Sequence, residues 1–175
     1  TRDKVVRREL KIREGELYHE TRKRESIEGV QRLGFFEEVN FKTSTSPEKS
    51  DVLNIDIVVK ERTTGSIQLG AGYSSSEHFT LTGQVNQANF LGKGQKLGAS
   101  LNHSSRGSFY NFNFTEPYFM DSTWLLGFDI YHSESGRSEY NEKRLGSALR
   151  FGHPLWENVN GYVRYKYEKS TLSPI

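Results

Sequence analysis

Glu116 and Asp129 are the nearest thing in this sequence to an acid/base pair, and His19, His78, His103, His132 and His153 are its five imidazoles. Neither set has working spacing. The histidines lie far apart, so none has a ligand partner at the short intervals a metal site uses. Gly92-Lys93 lacks the glycine five residues upstream that a phosphate-cradling loop requires. Gly70-Ala71-Gly72 has Ser75 at the third-glycine position of a dinucleotide fingerprint, with a strand pattern after it in place of a helix. Asn113-Phe114-Thr115 fits a glycosylation acceptor, but its mid-strand position argues chance. The two acids read as ordinary groups on a hydrated surface. No enzyme, metal or cofactor is expected.

What the chain does carry is pattern, and it changes once. The first 62 residues hold 14 Lys/Arg, 13 Asp/Glu and 3 Gly; the rest hold 10, 9 and 13. The break falls at Arg62-Thr63-Thr64-Gly65, predicting domains 1–62 and 63–175. Charge is balanced in both, which leaves no basic footprint for nucleic acid. The absence of cysteine excludes a disulfide framework. No apolar run reaches the length of a membrane helix. The open ends, Thr1-Arg2-Asp3 and Leu172-Ser173-Pro174-Ile175, predict a piece of a longer chain.

In the first part, residues 5–12 (VVRRELKI) predict a short charged strand. Residues 20–33 predict a helix, with Ile27, Val30 and Leu33 at spacing three, a cap at Thr21 or Ser26, and Gly34 as the left-handed terminator. Phe35 and Phe36 then fold back on the core. Strands follow at 36–43 and 52–60, around the turn-rich STSPEKSD. The expected core is Val5, Leu10, Ile27, Val30, Leu33, Phe36, Val39, Phe41, Leu53, Ile55 and Ile57.

The second part is seven alternating segments without helical period. Ile67, Leu69, Ala71 and Tyr73 share a face in the first, and Phe79, Leu81 and Val85 in the second. Leu97, Ala99 and Leu101 do so in the third, and Tyr110, Phe112 and Phe114 in the fourth. Trp124, Leu126, Phe128 and Ile130 follow, then Leu145, Leu149 and Phe151, then Val159, Val163, Tyr165 and Tyr167. Opposite them stand Gly, Ser, Thr, Asn, Gln and a few charges, although Leu125 and Tyr131 break the alternation. One apolar face and one wet face over strands of this length match transmembrane β-barrel strands. The residues expected to face lipid are Leu69, Leu81, Leu101, Phe112, Phe114, Leu126, Phe128, Leu149 and Val163. Phe90, Tyr118, Phe119, Trp124 and Trp156 form one aromatic rim, and Tyr73, Phe79 and Tyr167 the other. A soluble antiparallel sandwich or binding module remains the plainer alternative.

RRELKIREGELY, VQRLGFFEEV, KERTTGSIQLGAGYSS, QANFLGKGQKLG and FTEPYF, in that order, resemble the BamA family of bacterial outer-membrane barrel-assembly proteins. The resemblance runs over nearly the whole chain. It implies a small α+β POTRA (polypeptide-transport-associated) domain in the periplasm, joined to about seven strands of a larger, here incomplete barrel in the outer membrane. Strands one, three, five and seven then run outward, with outer loops at 75–78, 104–108 and 133–143. The implied function is assembly and insertion of nascent outer-membrane β-barrel proteins, with accessory lipoproteins and outer-membrane lipid as further partners. Client strands would be templated at a lateral seam formed by Ser66, Ile67, Gln68, Leu69, Gly70, Ala71, Gly72, Tyr73 and Ser74. Gly70 and Gly72 either weaken pairing there or only relieve crowding. In the POTRA part a strand edge, 36–43, and a polar helix face with Arg22, Glu25, Glu28 and Arg32 offer docking surfaces. A secretion pore of the same superfamily is the alternative within this resemblance.

Overall fold

In the computed structural model, Asp3–Arg7 is a helix, α1, where the charge pattern predicts a strand over 5–12. Arg7 Nε donates to Asp3 Oδ2 at 2.6 Å, one turn back. An acid in the first turn and a base in the last complement the helix dipole. Only Val5 of the adjacent pair Val5-Val6 is buried, so one-sided helical burial prevails over two-sided strand pairing.

The structure describes residues 1–47, 51–136, 140–156 and 159–174. It divides into two units, Thr1–Thr64 with Leu91–Lys93, and Gly65–Phe90 with Gly94–Ile175. In the first, α2 spans Glu20–Arg32, and β1 (Phe36–Thr45) pairs antiparallel with β2 (Leu53–Glu61). Residues 48–50 of the expected turn lie outside the described residues.

The helix ends as the sequence predicts. Gly34 has φ +70° and its N–H donates to the Gln31 carbonyl at 3.0 Å, a conformation that suits glycine. Its start differs, because the N-cap is His19 and no side chain caps it. Ser26, expected as a possible cap, is fully buried instead. Its hydroxyl donates to the Arg22 carbonyl at 2.7 Å and accepts from the Lys11 N–H at 2.8 Å, which ties the 8–19 segment to the helix. Val5, Val30, Phe35 and Phe36 form the buried core. Leu53, expected among them, is exposed at the end of β2.

The second unit is one sheet with strands in sequence order: β3 (Gly65–Ser74), β4 (His78–Phe90), β5 (Gln95–Ser104), β6 (Gly107–Glu116), β7 (Leu125–Gly136), β8 (Tyr140–Trp156) and β9 (Val159–Pro174). Every neighbouring pair is antiparallel. Connections 91–94 and 117–124 lie at the end of the sheet where β3 begins, its near end, and 75–77 and 105–106 at the opposite, far end. The expected loop at 133–143 is shorter. β7 runs to Gly136 and β8 starts at Tyr140, with Gly136 opposite Asn141. Residues 137–139 of that loop lie outside the described residues.

Candidate functional site

Continuous register sets the two faces of the sheet. One row reads Ile67, Val85, Ala99, Phe112, Ile130, Ser147 and Tyr167 from β3 to β9. The next toward the near end reads Gln87, Leu97, Phe114, Phe128, Leu149 and Tyr165 from β4 onward. All nine residues expected to face lipid fall on this one face. Many of its large side chains are open, Leu69 at 83% and Val163 at 68%.

The apolar region does not follow the rows. At its far-end boundary the last apolar residue is Phe79 on β4 but Tyr167 on β9, and Tyr167 shares a row with Val85. The boundary thus slips by six residues, roughly 20 Å at ~3.3 Å each, over five strand spacings of ~4.8 Å, about 24 Å. That is a slope near 40°, the strand tilt that barrel closure requires. The near-end boundary slips the same way, from Val85 on β4 to Phe114 on β6 and Trp124 just ahead of β7. A level apolar band drawn across tilted strands has this slanted outline. The slant also brings Tyr167 to the rim it was expected to join.

The opposite face is polar and unevenly charged. Ser66, Gln68, Thr82, Gln84, Asn86, Ser100 and Asn102 give β3–β5 a neutral surface apart from Lys96. On β6–β9, Arg150 Nη2 donates to Thr115 Oγ1 and to Asp129 Oδ1, both at 3.0 Å. Its Nε lies 3.0 Å from Asp129 Oδ2 without hydrogen-bond alignment, and Arg164 Nη2 stands 3.8 Å from the same oxygen. Tyr131 donates its hydroxyl to Glu168, whose carboxylate also takes Lys166 Nζ at 2.8 Å. Lys166 sits 5.3 Å above the Tyr131 ring. The ring lies on Gly146, where an added Cβ would run into Tyr131 Cζ. Tyr131 therefore breaks the apolar alternation because it is a member of the polar network. Sequence reading missed this network; its one signal was an aromatic out of phase, opposite a glycine.

Glu116 and Asp129 are on opposite faces, so no carboxylate pair forms. Glu116 accepts from Gln95 Nε2 at 2.5 Å and from the Tyr118 N–H at 3.1 Å. No cluster of metal-ligating side chains occurs among the described residues.

Strand β3 pairs with β4 through ten residues without a shift, and its other edge is unpaired among the described residues. The two glycines of the expected seam differ. Thr82 Oγ1 lies 2.6 Å from where a Gly70 Cβ would be and donates to the Gly70 carbonyl at 3.3 Å, whereas nothing lies within 4 Å of Gly72's. Crowding accounts for Gly70 alone.

In the first unit, a groove of about 450 Å³ runs between α2 and the unpaired edge of β1, lined by Lys23, Arg24 and Ile27 and by Val39, Asn40 and Phe41. Three successive strand residues line it, so it follows the edge and not one face. Arg22, Glu25, Glu28 and Arg32 are exposed on another flank of α2; Arg22 Nη1 is 2.8 Å from Glu16 and Glu28 is 4.0 Å from Arg24. Nearby, hydrogen bonds to Glu14 and then Asp3 push the Arg7 guanidinium further up, and the Glu20 carboxylate pushes the Tyr18 phenol up.

An Omp85 superfamily domain matches residues 89–174, and a surface antigen variable number repeat of the POTRA type matches residues 1–62. Residues 89–174 therefore belong to the Omp85 superfamily. It is 30% identical over 172 residues to the outer membrane protein assembly factor BamA of Nitratidesulfovibrio vulgaris, covering 96% of this chain and 22% of that protein. It is 29% identical to the factor of the same name from Neisseria meningitidis, covering 90% of this chain and 21% of that one. The crystal structure of BamA from Haemophilus ducreyi lacking POTRA domains 1–3 superposes with a TM-score of 0.81 at 30% identity, over 99% of this chain and 34% of that one. The chain thus spans about a fifth of the curated relatives it matches. The Omp85 match takes in β5–β9, and the POTRA match takes in the small α+β unit.

Proposed function

We propose that residues 1–62 are a periplasmic POTRA domain and residues 63–175 the first strands of an outer-membrane barrel, in a protein that assembles and inserts β-barrel proteins. One observation carries the reading: the apolar outline of the β3–β9 sheet has the slant of a membrane band, and β3 begins that sheet with its other edge unpaired among the described residues. In a bilayer, unpaired N–H and C=O groups are expensive, so that edge is either closed by another strand or taken by an incoming one. Residues Ser66 to Ser74 are then the lateral seam. The client strand adds there by backbone hydrogen bonding, which is indifferent to client sequence. The nine outward apolar residues from Leu69 to Val163 meet lipid. The open edge of β1 and the groove beside it offer the same mode of addition to an extended segment before insertion. The Arg22, Glu25, Glu28 and Arg32 flank is left for accessory lipoproteins. The function needs no catalytic residue.

The test is a disulfide in the full-length protein joining β3 to the final barrel strand. The locked form is expected to stop assembly of client barrels, and reduction to restore it. If the locked protein assembles clients at the unlocked rate, edge templating by β3 is wrong and the strand is an ordinary barrel wall.

A further inference from the structure

The two rims of the outward face differ in charge. At the far end of β5–β9 one row reads Leu101, Tyr110, His132, Leu145 and Lys169, and the next reads His103, Ser108, Glu134, Lys143 and Thr171. Lys143 and Lys169 are diagonal neighbours across β8 and β9. Glu134, the one acid of the two rows, is 3.0 Å from Lys143 Nζ and 3.2 Å from His132 Nε2. Lys169 has no ionic partner among the described residues. Toward the near end the same face passes into Gln87, Gln95 and Glu116, with no Lys or Arg among its described strand residues.

We propose that the far-end rim over β7–β9 is a contact site for a phosphate-bearing lipid, with Lys143 and Lys169 on the headgroup and the acyl chains along Leu145, Leu149 and Tyr165. The proposal rests on the membrane reading above and adds to it a particular lipid chemistry at one place. Charge complementarity and continuity with the apolar band carry it. The cations stand where the band ends, so a lipid whose tails lie on the band has its phosphate beside them. Tyr110, stacked on His132 with ring centres 6.3 Å apart, and Tyr167 on β9 set an amphipathic floor under the headgroup. One lysine is fully available and the other is shared with Glu134, an arrangement that favours one anion over a general basic surface.

The test uses the full-length protein in bilayers of mixed phosphatidylglycerol and phosphatidylcholine, with a fluorophore on Leu145→Cys. Quenching by headgroup-spin-labelled phosphatidylglycerol is expected to exceed quenching by labelled phosphatidylcholine. The preference should fall about five-fold for each of Lys143→Gln and Lys169→Gln, as expected for a cation at an anionic surface. Lys96→Gln, on the polar face, should leave it unchanged. Equal quenching by the two lipids overturns the site, as does an equal fall with Lys96→Gln. Loss of the preference on adding inorganic phosphate at unchanged ionic strength also overturns it, in favour of a free-anion site. If neither lipid quenches because the protein does not insert, the membrane reading fails and this inference with it.

Discussion

Strands β3–β5 and β7–β9 share an antiparallel ladder and an apolar outward face, yet they differ in what crosses between strands on the inside. In β3–β5 the inward side chains are amides, hydroxyls and glycines apart from Lys96. In β7–β9, Arg150 ties β8 to β7 through Asp129, while Arg164 with Asp129 and Tyr131 with Glu168 reach between β9 and β7 across β8. Backbone pairing is therefore the common scaffold, and side-chain coupling decides which half is easiest to part. The proposed seam lies in the half held by the ladder and by neutral contacts such as Thr82 to the Gly70 carbonyl.

The largest effects should be the same in both halves. Arginine at a lipid-facing position near the midplane costs about 2–4 kcal/mol, so Leu81→Arg and Phe128→Arg should destabilise by similar amounts in a refolding titration from denaturant. A large loss at Phe128 with none at Leu81 would mean that β4 does not face lipid, and the comparison would collapse to a soluble edge against a membrane wall.

Inside, the halves should separate. Arg150→Ala removes the bonds to Thr115 and Asp129 and leaves Asp129, whose side chain is 15% exposed, with Arg164 alone. The pair is partly solvated, so the loss should be about 1–3 kcal/mol, below that of a fully buried pair. Gln84→Ala on β4 should stay within about 0.5 kcal/mol. Comparable losses at the two sites, read as shifts of the unfolding midpoint, would remove the claimed asymmetry.

This asymmetry is also where the sequence stopped being readable. Period two places Phe112, Phe128 and Leu149 on one face without knowing what they pair with, because alternation is local. Gly34 after Leu33 ends α2 for an equally local reason. The Arg150 contacts join residues 21 and 35 apart in sequence, and register, which no single strand encodes, brings them together. The misread of residues 5–12 has the opposite cause. VVRRELKI alternates poorly, and a single one-turn ion pair from Asp3, outside the stretch taken as the strand, favours helix.

A smaller effect tests packing within the charged half. A methyl at Gly146 would push into the Tyr131 ring, so Gly146→Ala should cost on the order of 1 kcal/mol and shift the tyrosine's fluorescence environment. An unchanged protein would mean that the ring does not rest there.

The smallest effect separates the two seam glycines. Both are extended residues of β3 without positive φ, so alanine restricts the unfolded chain and is tolerated by the backbone at either site. At Gly72 the added methyl meets nothing within 4 Å, and Gly72→Ala should stabilise by up to about 0.5 kcal/mol. At Gly70 it meets Thr82 Oγ1 at 2.6 Å, and that hydroxyl must rotate away from the Gly70 carbonyl it bonds. Gly70→Ala should therefore be neutral or slightly destabilising. Stability alone gives no reason for glycine at 72, so the informative readout is function. If Gly72→Ala stabilises the protein and slows client assembly, the open space on β3 serves the parting of the seam. Should it stabilise and leave assembly unchanged, the weak half of the sheet owes its weakness to missing side-chain ties and not to glycine.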